Sequence, residues 1–402
     1  MNHNAVRAFT FVSVAMLAAC SNTTTSQTPP LAATNATAAG ASTARTRPEC
    51  PQNVPAGLAT CFMLVRTDVP RTQGVQPMVS GYGPSDIRSA YNLPSTTNGK
   101  GQIVAIVDAY DNPKVESDLA VYRKQFNLPP CTTKNGCFKK VAQSGSTKKF
   151  PRGNAGWAGE MSLDVDMVSA VCPNCQIIVV EASSNRLESL GKSVDRAIIL
   201  NANVVSNSYG GSGGGHSNVH YDHPGSVITA SSGDDGHFES SPCAYQTVVC
   251  VGGTTLEPGG GSRGWTETAW GGASSACAHL VAKPSWQTDK GCTHRSESDV
   301  SAVADSYPGV AFYDTYQSGG WGTTGGTSVS SPIIAAVFAL AGNAATQNYA
   351  SGIWAAGGGP GLNDITSGSN GNCFPKKAYI CNAGPGYDGP TGWGTPNGLS
   401  AF

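Results

Sequence analysis

A serine hydroxyl becomes a nucleophile only when a nearby base can take its proton. Ser328 stands in Gly325-Gly326-Thr327-Ser328-Val329-Ser330-Ser331-Pro332, and the apolar residues 333–340 that follow read as a helix. A helix N-terminus would help stabilise negative charge developing beside that hydroxyl. Serine and threonine are also favoured helix caps, so the placement has an ordinary structural reading too. The seven histidines are His3, His216, His220, His223, His237, His279 and His294, and none lies in the helical stretch 157–171. That stretch carries carboxyls instead. Glu160 and Asp164 are four residues apart and share one face, while Met161, Val165 and Val168 form an apolar stripe on another. Like charges at that spacing cost a helix about 0.2–0.5 kcal/mol, and a solvated acidic face is the plain alternative to a functional pair.

The elements that would position these residues alternate along the chain. Residues 103–107 are a continuous apolar run ending at Asp108, as expected of a strand buried on both faces. Similar runs recur at 177–180, 204–205, 227–230 and 248–251, with helical patterns at 117–126, 159–171 and 187–200. This alternation predicts an α/β fold, a mostly parallel central sheet flanked by helices in three layers. Such sheets bind ligands at the carboxyl ends of their strands. The loops there hold Asp108, the stretch 206–211 (Ser-Asn-Ser-Tyr-Gly-Gly) and the stretch 232–236 (Ser-Gly-Asp-Asp-Gly) with Asp234 and Asp235. Asp235 could line a cleft or simply support its turn. A formal net charge of −1 over 402 residues gives no electrostatic argument for nucleic acid. Fifty glycines suit a loop-rich fold with a small-residue core, and no internal repeat is present.

Taken together, Gly-Thr-Ser-x-x-Ser-Pro at 326–332, Trp-x-x-Glu-x-x-x-Asp around Glu160 and Asp164, and Ser-Gly-Asp-Asp-Gly around Asp234 resemble the sedolisin family of serine-carboxyl peptidases. The likeness runs in order from about Pro84, including Asp-Ile-Arg-Ser-Ala-Tyr-Asn-Leu-Pro at 86–94, to the C-terminus. It implies a subtilisin-like fold and a serine-type endopeptidase acting on proteins or peptides. The resemblance makes Ser328 the nucleophile, Glu160 its base and Asp164 the residue orienting Glu160. Asp234 would occupy the oxyanion hole, where a subtilisin has asparagine. A carboxylate cannot donate a hydrogen bond, so Asp234 must be protonated to do this work. With reference carboxyl pKa values of about 4, the machinery should favour acid, and clustered carboxyls could widen that window. A tripeptidyl-type exopeptidase belongs to the same family and is the alternative mode.

The resemblance also implies a calcium site near the C-terminus. Asp364 and Asp388 would give carboxylates, and Ile365, Gly384 and Gly386 backbone carbonyls, all hard oxygen ligands. From spacing alone, aspartate among glycines is an ordinary turn. His216, His220 and His223 have spacings that could hold a metal, but their Gly/Ser-rich loop reads better as a polar surface.

The N-terminus reads as a processing signal. Residues 8–17 form a short apolar segment after Arg7, and Leu17-Ala18-Ala19-Cys20 resembles a bacterial lipobox. The expected organisation is a signal peptide over 1–19, a flexible tether over 20–47, a short disulfide-bearing segment over 48–83 and a peptidase domain over 84–402. Lipid at Cys20 would anchor a monomeric protein to the cell envelope or leave it secreted. The remaining twelve cysteines fall into close neighbours, an even number that suits disulfides in an oxidising compartment. Zinc at Cys172-x-x-Cys175 would need a second ligand pair that the surrounding sequence does not offer. A large N-terminal prodomain is usual in the family, and here a short segment stands in its place. That departure keeps open a surface lipoprotein that binds peptides without cutting them, or a purely adhesive one.

Overall fold

The apolar runs become strands, and most of them pair in parallel. The computed structural model describes residues 45–213, 218–373 and 375–402. The signal segment, Cys20, most of the tether and His216 lie outside the described residues. Strands β4 (Ile103–Ala109), β6 (Gln176–Ala182), β7 (Val204–Asn207) and β9 (Val227–Ser231) are buried almost end to end. Valine, isoleucine and alanine fill both of their faces, which a strand covered on both sides requires. With β5 (Phe138–Ala142), β10 (Val249–Pro258), β11 (Trp265–Ala269) and β14 (Val300–Val303) they make an eight-stranded sheet. Its order is β11-β10-β9-β7-β4-β6-β5, with β14 also pairing β10, and only the β10–β11 pair is antiparallel. The chain is therefore an α/β protein of the predicted kind.

Helix α1 (Pro84–Ala90) follows the N-terminal strands, and α2 (Val115–Gln125) follows β4. Helix α4 (Leu187–Ile199) packs on β4 and β6 through Leu187, Leu190, Val194 and Ala197, and turns Glu188 and Lys192 to solvent as an ion pair. Helix α3 (Ala155–Val171) behaves differently. Its Asn154 cap accepts a hydrogen bond from the Trp157 amide at 3.1 Å, so the helix starts four residues before the apolar pattern suggests. It touches α1, α2, the sheet and α5 (Thr327–Ala341), and every residue from Trp157 to Val171 is buried. A solvated acidic face does not exist: Glu160, Asp164 and Asp166 are all 0% exposed. Helix α5 also begins earlier than expected, which places Ser328 in its first turn rather than at the cap. The cap is Gly326, with φ +95° and no side chain to offer, so the ordinary capping role for Ser328 is excluded.

The N-terminal residues are woven into the same compact unit. Strands β1 (Thr46–Pro48) and β3 (Leu64–Arg66) join β16 (Gly320–Gly325) and β15 (Val310–Asp314) in an antiparallel sheet ordered β1-β3-β16-β15. Strand β2 (Thr60–Cys61) pairs antiparallel with β8 (Tyr209–Gly210), which continues from β7. A separate hairpin, β12 (Cys277–Ala282) and β13 (His294–Ser296), lies apart from these sheets. Among the described residues, six disulfides join each cysteine to its sequence neighbour: 50–61, 131–137, 172–175, 243–250, 277–292 and 373–381. The Cys172–Cys175 bridge removes the thiolates that a zinc site would need.

Candidate active site

The loop after β9 and the start of α5 are tied together by Thr327. Its hydroxyl accepts from the Gly233 amide (3.1 Å) and donates to Asp234 Oδ1 (2.9 Å), and its own amide donates to the same oxygen (2.8 Å). Ser231 Oγ donates to the Thr327 carbonyl (2.8 Å), and Ser331 Oγ lies between Thr229 Oγ1 (3.0 Å) and Ser206 Oγ (3.2 Å). These contacts fix the first turns of α5 against β7 and β9. Pro332 has no amide to donate back to Ser328, which leaves the Ser328 carbonyl free inside the helix. Ser208 Oγ reaches that carbonyl at 3.4 Å. The Ser-x-x-x-Pro spacing thus has a local structural use.

Asp234 keeps Oδ2 buried and unbonded, although the residue as a whole is only half-buried. Burial raises its carboxyl from 3.8 to about 7, against the lowering effect of the Thr327 amide and hydroxyl. The oxygen faces a crowded spot. A Cβ on Gly326 would come within 2.7 Å of Asp234 Oδ2 and would overlap the Phe62 carbonyl oxygen, so no residue but glycine fits at 326.

On the other side of Ser328 stand three buried carboxyls. Glu160 and Asp164 come from one face of α3, and Asp108 from the end of β4. Asp164 Oδ1 accepts from Ser208 Oγ at 2.7 Å, while neither oxygen of Glu160 or Asp108 has a hydrogen-bond partner among the described residues. Burial is the largest cause that pushes each of the three well above the usual carboxylate range. For Glu160, the charges of Asp164 and Asp108 add to it, and the nearby Ser328 hydroxyl pulls the other way. Ser328 is therefore close enough to bias Glu160 without a well-aligned hydrogen bond. In this arrangement its Oγ donates to the Ser208 carbonyl (3.2 Å) and accepts from the Phe62 amide (3.1 Å). Ser328 is itself 0% exposed.

The structure thus brings Ser328, Glu160, Asp164 and Asp234 to one place, from α5, α3 and the loop after β9. Asp235 is exposed at the turn, where its amide donates to Ser274 Oγ (3.1 Å), so it supports the loop. Ser208 and Phe62 escaped sequence reasoning. Ser208 was visible only as one hydroxyl of a polar loop, and Phe62 only as one member of the apolar run 62–65. The expected calcium ligands form a separate cluster. Asp388 accepts from the amides of Gly384 (3.0 Å) and Thr391 (2.9 Å), and Asp364 accepts from the Gly386 amide (2.9 Å). Asp388 is buried and raised to about 7 by that burial, with the neighbouring Asp364 adding to it. The histidines behave as a polar surface: His220 and His223 both bond Asp195 of α4 (2.6 and 2.9 Å). Two further groups of side chains, His237 with Cys373 and Cys381 and Glu297 with Cys243 and Cys250, have the spacing of metal ligands. Their sulfurs are paired in disulfides and cannot act as thiolates.

A mostly parallel α/β sheet, with a serine in the first turn of a buried helix and acidic residues gathered around it, defines a subtilisin-like protein. The Subtilase family (Peptidase_S8) matches residues 152–356, which span β5's exit loop, α3, the sheet centre and α5. The chain belongs to this family, and to the sedolisin group within its fold. It is 27% identical to kumamolisin of Bacillus sp. (strain MN-32) over 371 residues, covering 82% of this chain and 64% of that protein. It is 32% identical to sedolisin of Pseudomonas sp. (strain 101) over 202 residues, 42% of this chain and 33% of that one. The chain spans less than two thirds of the length of the curated relatives it matches. Among solved structures, Pseudomonas sedolisin complexed with two molecules of pseudo-iodotyrostatin superposes with a TM-score of 0.68. That match has 23% identity and covers 80% of this chain and 96% of the other, which speaks for the fold.

Proposed function

We propose that the chain is a serine-carboxyl endopeptidase that hydrolyses peptide bonds in acid. The observation that carries this reading is the group of buried carboxyls behind Ser328, with no histidine on α3 to serve as a base. Ser328 Oγ attacks the scissile carbonyl and passes its proton to the ionised form of Glu160, which burial and the neighbouring carboxyls make a stronger proton acceptor than an ordinary carboxylate. Asp164, held by Ser208, orients Glu160 and steadies the proton it receives. Asp234 in its protonated form donates from Oδ2 to the oxyanion. The Ser328 amide, which by its place in the first turn of α5 has no intrahelical acceptor, is the natural second donor. Asp234 holds its proton up to about pH 7, so this donor is present throughout the acid range and lost above it.

Calcium fits the cluster around Asp388. Buried Asp388 and neighbouring Asp364 supply hard carboxylate oxygens, held here by the amides of Gly384, Thr391 and Gly386, and no cationic side chain among the described residues bonds either. When bound, the ion would neutralise this pair and lock the loop 384–388. Export to an oxidising compartment accords with the six disulfides, and lipid at Cys20 would hold the protein at the envelope. No helix among the described residues is long and apolar enough to cross a membrane. Digestion of an unstructured protein between pH 3 and 8 tests the reading. Acid-optimal cleavage should vanish in both Ser328→Ala and Glu160→Ala, and an optimum above pH 8 would sink the mechanism.

A further inference from the structure

The cleft in front of Ser328 is already filled, and the chain fills it with its own residues 59–66. Cys61 and Thr60 pair with Tyr209 and Gly210, and the Phe62 amide donates to the Ser208 carbonyl (3.4 Å) as well as to Ser328 Oγ (3.1 Å). Beyond the nucleophile, Leu64 and Val65 pair with Gly325 and Thr324. The strand is thus held by sheet bonds on both sides of the Phe62–Met63 peptide, in the way an extended peptide adds to a sheet edge. The Phe62 carbonyl oxygen and Asp234 Oδ2 both stand beside Gly326. The Phe62 side chain is only 4% exposed. Its ring tip lies against two glycines: a Cβ on Gly210 would come within 2.8 Å of it, and one on Gly233 within 3.5 Å. Ser240 and Ser274 stand beside the same two positions, and Ser240 Oγ is buried with no partner among the described residues.

Resting on the peptidase reading above, we infer that the pocket bounded by Gly210, Gly233, Ser240 and Ser274 selects an aromatic residue on the acyl side of the cleaved bond, and that Phe62 plugs it as a built-in competitor. Two glycines leave room for a flat ring where any side chain would close the pocket. The free Ser240 hydroxyl lets the pocket accept a phenol as well as a phenyl ring. The strand also disarms the nucleophile. With the Phe62 amide on Ser328 Oγ, that hydroxyl gives its proton to the Ser208 carbonyl and not to Glu160. The Cys50–Cys61 disulfide stiffens the strand next to the plug, and the Glu49 amide bonds the Met63 carbonyl (2.9 Å) just past it. Outside peptides must therefore displace residues 59–66, which raises the apparent KM and leaves kcat unchanged.

Binding in an inactive background tests this without requiring catalysis. The probe is a synthetic peptide of residues 57–68 carrying Cys61→Ser, and the proteins are the full chain with Ser328→Ala, alone and combined with Phe62→Asp. The combined variant should bind the probe at least tenfold more tightly, and a probe carrying Phe62→Asp should bind at least tenfold more weakly. Equal affinities in both proteins, or no discrimination against aspartate, would overturn the inference. Should Phe62→Asp fail to fold, the Ser328→Ala chain alone decides. Excess probe must then speed hydrogen exchange at the amides of residues 60–66, and unchanged exchange there refutes displacement. A Phe62→Asp chain with Ser328 intact that binds the probe tightly yet cleaves nothing would count against the peptidase reading alone.

Discussion

Replacing Asp234 with asparagine keeps the shape of the side chain and an N–H donor near Oδ2 while removing the ionisation. Burial pushes the carboxyl from its ordinary 3.8 to about 7 in the folded protein. Below about pH 4 both folded and unfolded chains carry the proton, and the stabilising difference is fully present. Between about 4 and 7 the unfolded chain releases it first, so stability falls as pH rises, and above 7 the loss is complete. Moving the carboxyl from 3.8 to about 7 corresponds to about 4 kcal/mol, at about 1.36 kcal/mol for each tenfold change in proton affinity. Because the residue as a whole is only half-buried, solvent screening brings the expected change to about 2–4 kcal/mol. Urea unfolding of the wild-type and Asp234→Asn chains at pH 4 and pH 8 reads it directly. The variant should gain about 2–4 kcal/mol on the wild type between the two pH values. Its kcat should also lose the wild type's tenfold decline per pH unit above 7, since asparagine donates at any pH. A stability difference that does not change with pH, together with an unaltered alkaline limb, would refute the protonated oxyanion donor.

Three other outcomes follow from the site. Ser208→Ala takes from Asp164 Oδ1 its only donor among the described residues, so it should cost about 1–3 kcal/mol in unfolding and lower kcat more than it changes KM. Gly326→Ala puts a methyl group into the Phe62 carbonyl at φ +95°, and thermal unfolding should show a loss of more than about 2 kcal/mol. Chelation with EGTA should lower Tm by several degrees, and Asp388→Asn should abolish that sensitivity; a Tm indifferent to calcium would remove the metal from the account.

The parallel core was legible because strands such as 103–107 bury both faces and declare it in unbroken apolar runs. Ser328 was legible as a candidate nucleophile because a long local string surrounds it. Helix α3 was harder, since its charges resemble a wet surface until the neighbours α1, α2 and α5 are known to enclose it. Only the family resemblance pointed Glu160 and Asp164 inward. The covering strand was not legible at all. Strands β2 and β3 are two and three residues long, too short for any periodicity, and their partners lie far along the chain, as with Val65 and Thr324. Pairings of that kind are decided by tertiary packing rather than by local pattern. The same distance hid Ser208, whose role depends on where α3 and α5 meet.

The claim that Ser328 is the nucleophile is tested most directly by trapping its acyl form. The Phe62→Asp chain, mixed at pH 4 with an activated phenylalanine ester, should release the leaving group in a burst of one equivalent. Mass spectrometry should place the acyl group on the peptide containing Ser328, with the burst slowed in Glu160→Ala and absent in Ser328→Ala. A burst that survives Ser328→Ala, or an acyl group carried by another residue, would contradict the account.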